Sequence, residues 1–289
     1  MTELFKKVLF PTDFSENSGR VLAHAIRLTN FHNGELIVQH VVGADLEKAP
    51  HWSKAFNMHG LQCQLDTFSA IEMDRIVREA PAGIRIRPVI SKGRIPEEIA
   101  ELAENELVDL IVMGSVTGGT ALRVVRMTSR PVLALWSRVR PSDSKGIPRR
   151  ILIATDFSEH SKRVVQYAFR LRKAFNASIY LLHVIETTKA VEYALDQGLY
   201  RNSKERIKEW ALNQLLNLVP DESLDDQGIV RMVEFGRVSS LIASISQEID
   251  ADLTVVGAHD SGGVTGHLLG PTTEATLASL QSPLLTVRV

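Results

Sequence analysis

The chain has 289 residues, enough for two domains of ordinary size that each bury a core. A hydrophobic fraction of 44% and a charged fraction of 23% exclude a disordered or fibrous chain. The formal net charge of -1 gives no global electrostatic case for nucleic acid or an anionic membrane, and no segment approaches the roughly 18 apolar residues of a membrane span.

The opening MTELFKKVLFPTDF holds no apolar stretch of signal-peptide length. The only cysteine, Cys63, precludes an intramolecular disulfide and fits a reducing compartment. Its surroundings, LQCQLD, read as an amphipathic helix and make it a structural residue. A cytoplasmic protein is the expectation.

In chain order, short β-branched runs predict strands near Val8–Phe10, Leu36–Val42, Ile84–Val89, Leu110–Met113 and Val132–Leu135. Amphipathic stretches between them predict helices over Ser15–Asn30, within Ser53–Glu79, over Ile95–Glu106 and over Thr120–Thr128. Strand–helix alternation with near-continuous apolar strands such as LIVM implies a parallel sheet covered on both faces. SRVRPSDSKGIP, from Ser137 to Pro148, is polar with prolines and glycine and reads as a linker.

The order then repeats. KKVLFPTDFSENSGRVLAHAIRLTNFHNGELIVQHVV, from Lys6, aligns with RRILIATDFSEHSKRVVQYAFRLRKAFNASIYLLHVI, from Arg149, at an offset of 143 with 15 of 37 positions identical. The offset holds through Gly114 and Gly257, then becomes 152, pairing Gly118 with Gly270 and Pro131 with Pro283. GSVTGGTALRVV in the first half therefore aligns with GAHDSGGVTGHLLGPTTEATL in the second, nine residues longer at one place. The division expected is a first domain over 1–138, a linker over 139–148 and a second domain over 149–289.

In an open parallel sheet, ligands bind beyond the carboxyl ends of the strands where strand order reverses. TDFSE, the residues after HVV or HVI, and the glycine loop all lie at such ends. Asp13 and Asp156 each precede a glutamate by three residues, the spacing of a helix-capping box. Each is equally a carboxylate able to accept from a nucleotide's base or sugar. Gly257, Gly262, Gly263, Gly266 and Gly270, followed by Thr272-Thr273-Glu274, describe a phosphate cradle: backbone N–H groups without an obstructing Cβ, then a helix N-terminus. The first half's loop is too short to wrap a phosphate chain. His40 and His183 end equivalent strands and read as packed or hydrogen-bonded residues, while His259 and His267 sit in the cradle, where either can donate to phosphate or face solvent.

These residues resemble the universal stress protein family in its tandem form, most clearly through GRIPEEIAELAENELVDLIVMGS from Gly93 to Ser115. The resemblance covers nearly the whole chain. It implies two tandem doubly wound α/β domains, each with a five-stranded parallel sheet of the adenine nucleotide alpha hydrolase-like kind, packed as a pseudo-dimer through their last strands. It also implies adenine-nucleotide binding in the second repeat. Asp156, Val184 and Gly257, with their strand-end neighbours Ala154, Thr155 and Val256, would surround adenosine. The loop carrying His259, Asp260, Gly263, Gly270 and Pro271, with Thr272 beyond, would hold phosphates.

The nucleotide-binding members' pattern G-x2-G-x9-G-(S/T) falls here on Gly257, Asp260, Gly270 and Pro271, so two of four positions match and the spacing matches fully. Asp260 would repel phosphates unless a cation such as Mg intervenes, and Pro271 lacks both the N–H and the hydroxyl. ATP, ADP and AMP all stay open. The reading is a nucleotide-binding stress or regulatory protein with no dedicated reaction, since the sequence carries no nucleophile–base pair, metal cluster or Walker A pattern. A scaffold with decayed sites and a nucleotide-processing enzyme on a related fold are the alternatives. The partners expected are nucleotide and the other repeat, with further homodimerisation open, and neither nucleic acid nor membrane.

Overall fold

The computed structural model describes residues 4–43, 58–115, 119–136, 147–187, 201–220, 223, 227–258, 275–276, 279–280 and 282–288. The chain falls into two compact units, Glu3–Ser137 and Arg138–Val289.

The first unit runs β1 (Lys7–Thr12), α1 (Glu16–Phe31), β2 (Glu35–Gly43), α2 (Met58–Glu79), β3 (Arg85–Gly93), α3 (Ile95–Asn105), β4 (Leu110–Ser115), α4 (Thr120–Met127) and β5 (Val132–Trp136). The second runs β6 (Arg150–Thr155), α5 (Glu159–Phe175), β7 (Ser178–Glu186), α6 (Arg201–Leu216), β8 (Ile229–Gly236), α7 (Val238–Glu248), β9 (Leu253–Gly257) and β10 (Leu284–Val287). Among the described residues each unit forms a sheet of five parallel strands, ordered β3-β2-β1-β4-β5 in the first and β8-β7-β6-β9-β10 in the second.

The central strands earn that position by composition. Val8, Leu9 and Phe10 are consecutive and all fully buried, as are Ile151, Leu152 and Ile153, so side chains on both faces of the sheet lie under helices. One aspartate at the head of each fourth strand ties it to the first. Asp109 Oδ2 accepts from the N–H groups of Lys6 and Lys7 at 2.8 and 2.9 Å, and Asp252 Oδ2 accepts from those of Arg149 and Arg150 at 2.9 Å each.

Elements fall within a residue or two of expectation except β3, which runs on to Gly93. Its Ser91 and Lys92 are polar, yet they stay paired with Val41 and Val42 of β2. An outer strand of the unit's sheet tolerates polar side chains where an inner one does not.

The helix starts correct the capping-box reading. The N-cap of α1 is Ser15, whose side chain accepts from the Ser18 N–H, and the N-cap of α5 is Ser158, which accepts from the Ser161 N–H. Asp13 and Asp156 stand two residues earlier and do a different job.

Candidate functional site

Strand order reverses between β1 and β4 in the first unit and between β6 and β9 in the second. In the second unit these strands pair from Ile151 with Leu253 to Ile153 with Val255. Ala154 and Thr155 on one strand and Val256 and Gly257 on the other therefore border the switch-point crevice. Thr155 pairs with His183 on the opposite side, which sets Val184 level with Asp156. Thus Ala154, Thr155, Asp156, Val184, Val256 and Gly257 meet at one end of the sheet. Val256 is buried, Ala154 and Val184 are half-buried, and Asp156 is exposed. A Cβ on Gly257 would stand 3.4 Å from Val164 Cγ2, ordinary contact, so close helix packing does not by itself demand glycine there. His259, Asp260, Gly263, Gly270, Pro271 and Thr272 lie outside the described residues.

Asp156 occupies the first position of an Asx turn. Its Oδ1 accepts from the Ser158 N–H at 3.0 Å. Thr155, immediately before, is fastened three ways. Its hydroxyl shares a hydrogen bond with Ser161 Oγ at 2.9 Å and accepts from the Phe157 N–H at 3.2 Å. Its carbonyl pairs with His183 Nδ1 at 2.9 Å. Although the residue as a whole is exposed, partial desolvation of its carboxyl would raise the pKa, but hydrogen bonds from Ser158 and Ser161 outweigh that and hold it below the ordinary value. The carboxylate is thus ionised at neutral pH, and a carboxylate's two oxygens can accept up to about four hydrogen bonds. Burial lowers His183 below the usual imidazole value, against the opposing influence of the Thr155 carbonyl and the Asp156 charge. A neutral His183 donates from Nδ1 to that carbonyl.

The sequence singled out neither Phe157 nor Trp210. Phe157 has φ 65°, the left-handed region that a bulky side chain enters at a cost of order 1–3 kcal/mol. Its ring stacks on His183, centroids 4.0 Å apart and planes 25° from parallel, and Trp210 of α6 meets it edge-on at 5.8 Å and 86°.

The first unit repeats the arrangement. Thr12 Oγ1 and Ser18 Oγ are 2.8 Å apart, the Phe14 and Ser15 N–H groups donate to Thr12 Oγ1 and Asp13 Oδ1 at 3.1 and 3.0 Å, and His40 Nδ1 lies 2.8 Å from Thr12 O. Phe14, at φ 59°, lies over His40 at 4.4 Å, with Phe68 of α2 edge-on at 5.9 Å and 87°. Both histidines are hydrogen-bonded and stacked, as their strand-end positions led us to expect. Among the described residues no group of three or more His, Cys, Asp or Glu is placed to hold a metal ion.

The profile of the universal stress protein family matches residues 4–134 and again 148–288. The chain belongs to that family, in its tandem form. Over its full span it is similar to a universal stress protein of Mycolicibacterium smegmatis, 22% identical across 97% of this chain and 96% of that one. A universal stress protein of Methanocaldococcus jannaschii is 27% identical over 47% of this chain and 97% of its own length. The fold resembles that of a universal stress protein from Archaeoglobus fulgidus, with TM-score 0.66 and 20% identity, covering 100% of this chain and 99% of that one. Among the described residues no helix is long and apolar enough to cross a membrane.

Proposed function

We propose that this chain is a regulatory adenine-nucleotide-binding protein whose second repeat holds the nucleotide. The observation that carries the reading is the Asp156 turn. An ionised carboxylate, fixed by the Ser158 N–H, stands just past the carboxyl end of β6, beside the point where strand order reverses between β6 and β9. Such an acceptor suits the donors of a nucleoside, its ribose hydroxyls or the exocyclic amine of adenine. Val184, half-buried, offers apolar surface at the same end of the sheet, and a bound nucleotide would bring its own anionic phosphates toward the glycine-rich stretch after β9. The phosphorylation state, ATP, ADP or AMP, is part of what must be measured, as is any role for Mg beside Asp260. The first repeat keeps the turn but has nine fewer residues after its fourth strand. The reading assigns it a structural role, paired with the second repeat through the last strand of each.

Denaturing freshly purified protein and identifying the released nucleotide by chromatography and mass tests this. Close to one equivalent of adenine nucleotide per chain is the expected result. A protein that comes empty, and takes up neither ATP nor AMP with or without magnesium, overturns the reading in favour of a scaffold.

A further inference from the structure

In both repeats a phenylalanine occupies the middle of the Asx turn, at φ 65° for Phe157 and 59° for Phe14. Glycine or asparagine reaches that backbone region at far lower cost. The ring contacts offset the strain. Each phenylalanine lies over a histidine that is itself bonded to the carbonyl of the threonine two residues earlier. Each is met edge-on by a third aromatic ring from the helix that follows the histidine strand. That outer ring differs, Phe68 in one repeat and Trp210 in the other, and stands at an offset of 142 where the flanking strands keep 143. Different residues thus reach one geometry.

Ordinary core packing does not explain the outer ring, because Phe68 and Trp210 are 51% and 55% exposed. The two bonds to the turn do. Thr155 Oγ1 holds the Phe157 N–H and Asp156 Oδ1 holds the Ser158 N–H, so the backbone torsions of Phe157 decide whether the carboxylate can close on Ser158.

We propose that Phe157, clamped between the His183 ring and the edge of Trp210, is a positioning residue that holds the Asp156 carboxylate ready for the nucleoside. This rests on the nucleotide reading above. It adds that α6 reaches the binding carboxylate through one strained residue.

Two measurements on the full-length protein test it. In the ligand-free chain, the carboxyl carbon of Asp156 is titrated by NMR, with His183, whose ring feels the Asp156 charge, retained throughout. In parallel, adenosine affinity is measured by calorimetry. Phe157→Leu keeps apolar bulk but loses the stack. It is expected to return the Asp156 titration toward the ordinary aspartate range and to weaken adenosine about tenfold. Phe157→Tyr should preserve both, and Phe14→Leu in the first repeat should leave both unchanged. Unaltered Asp156 titration and affinity in Phe157→Leu overturn the proposal. Should that variant fail to fold, Trp210→Leu, which removes only the exposed ring, must shift the titration in the same direction, and an unmoved titration overturns the proposal. If the unsubstituted chain takes up no adenosine or adenine nucleotide, the binding reading falls while the Asp156 titration still decides the clamp.

Discussion

In the first repeat the turn entering β5 hangs on a carboxylate. Glu104 of α3 accepts from Thr128 Oγ1 at 2.9 Å, from the Ser129 N–H at 2.6 Å and from Arg130 Nε at 3.0 Å. In the second repeat the matching turn before β10 is held by three hydroxyls: Ser246 Oγ lies 2.7 Å from Ser282 Oγ, which lies 3.1 Å from Thr254 Oγ1. Deeper in, Gln39 of β2 donates to Ser91 Oγ and the Glu98 carbonyl, whereas Leu182 takes the equivalent place in β7. The fastenings behind the sheet have diverged in chemistry while the lip of the crevice keeps the same bonds in both repeats. Backbone pairing and apolar packing suffice to build the fold, so polar fastenings can be exchanged. The turn at the crevice combines a strained phenylalanine, a helix-capping serine and a bonded histidine, and few substitutions satisfy all three.

That contrast can be broken most sharply at the core. Leu182→Gln puts an amide into a fully buried site that lacks the Ser91 partner, and should destabilise by about 2–4 kcal/mol. Gln39→Leu should cost less than about 1.5 kcal/mol, because both the amide and its one unpaired buried oxygen, Oε1, are removed together. Urea unfolding measures both, and equal losses would mean the two repeats pack alike at this position.

Next in size is the carboxylate pair at the crevices. Asp156→Ala should weaken adenine-nucleotide binding roughly 10- to 100-fold, the worth of a hydrogen bond to a charged group, and Asp13→Ala should leave the stoichiometry and affinity unchanged. Calorimetric titration separates them. A loss on replacing Asp13 equal to that on replacing Asp156 would move nucleotide binding into both repeats.

The Glu104 clamp should be smaller. Burial would raise this carboxyl, but the backbone and hydroxyl of Ser129, Thr128 and Arg130 outweigh it and lower its pKa. Its stabilisation is therefore present above the ordinary glutamate pKa of about 4.3 and is lost as pH falls through the depressed folded value. Glu104→Gln should cost about 1–2 kcal/mol at neutral pH, discounted for partial exposure, and should flatten the acid limb. Ser246→Ala in the hydroxyl-held repeat should leave the acid limb as it was. Denaturant midpoints between pH 3 and 7 read the difference.

The smallest effect expected is at His183. Because burial lowers its pKa, the folded protein resists taking the proton, and stability falls as pH drops below about 6.5, the unfolded value. His183→Gln should reduce that slope by less than one proton. A steeper slope in the variant would show that the ring is stabilised in its charged form.

Much of this architecture was legible in the sequence. Apolar runs such as VLF and ILI, with the offset of 143, located the strands and the duplication because burial on both faces leaves little freedom of composition. Asp156 was singled out too, and of its two readings the helix cap is the one the structure overturns. TDFSE contains both an aspartate three before a glutamate and a serine at the true cap, and only the bond that the Ser161 N–H donates to Ser158 Oγ separates the two. The polar end of β3 escaped because Ser91 and Lys92 carry no apolar alternation. The aromatic clamp left no local signal either: Phe157, His183 and Trp210 sit on three different elements, and their meeting is a product of the fold.

The tie between Asp109 and the amides of Lys6 and Lys7 has a consequence for synthesis. Residue Val8 of the first strand pairs with Leu110, so the middle of the sheet is completed by a segment made about a hundred residues later. At about 5–20 residues per second, β1 waits of order 5–20 s on the ribosome with one flank unpaired, and β6 then repeats the wait for β9. Each repeat is thus vulnerable to sticky encounters during its own interval, and the first can be finished and shielded before the second begins.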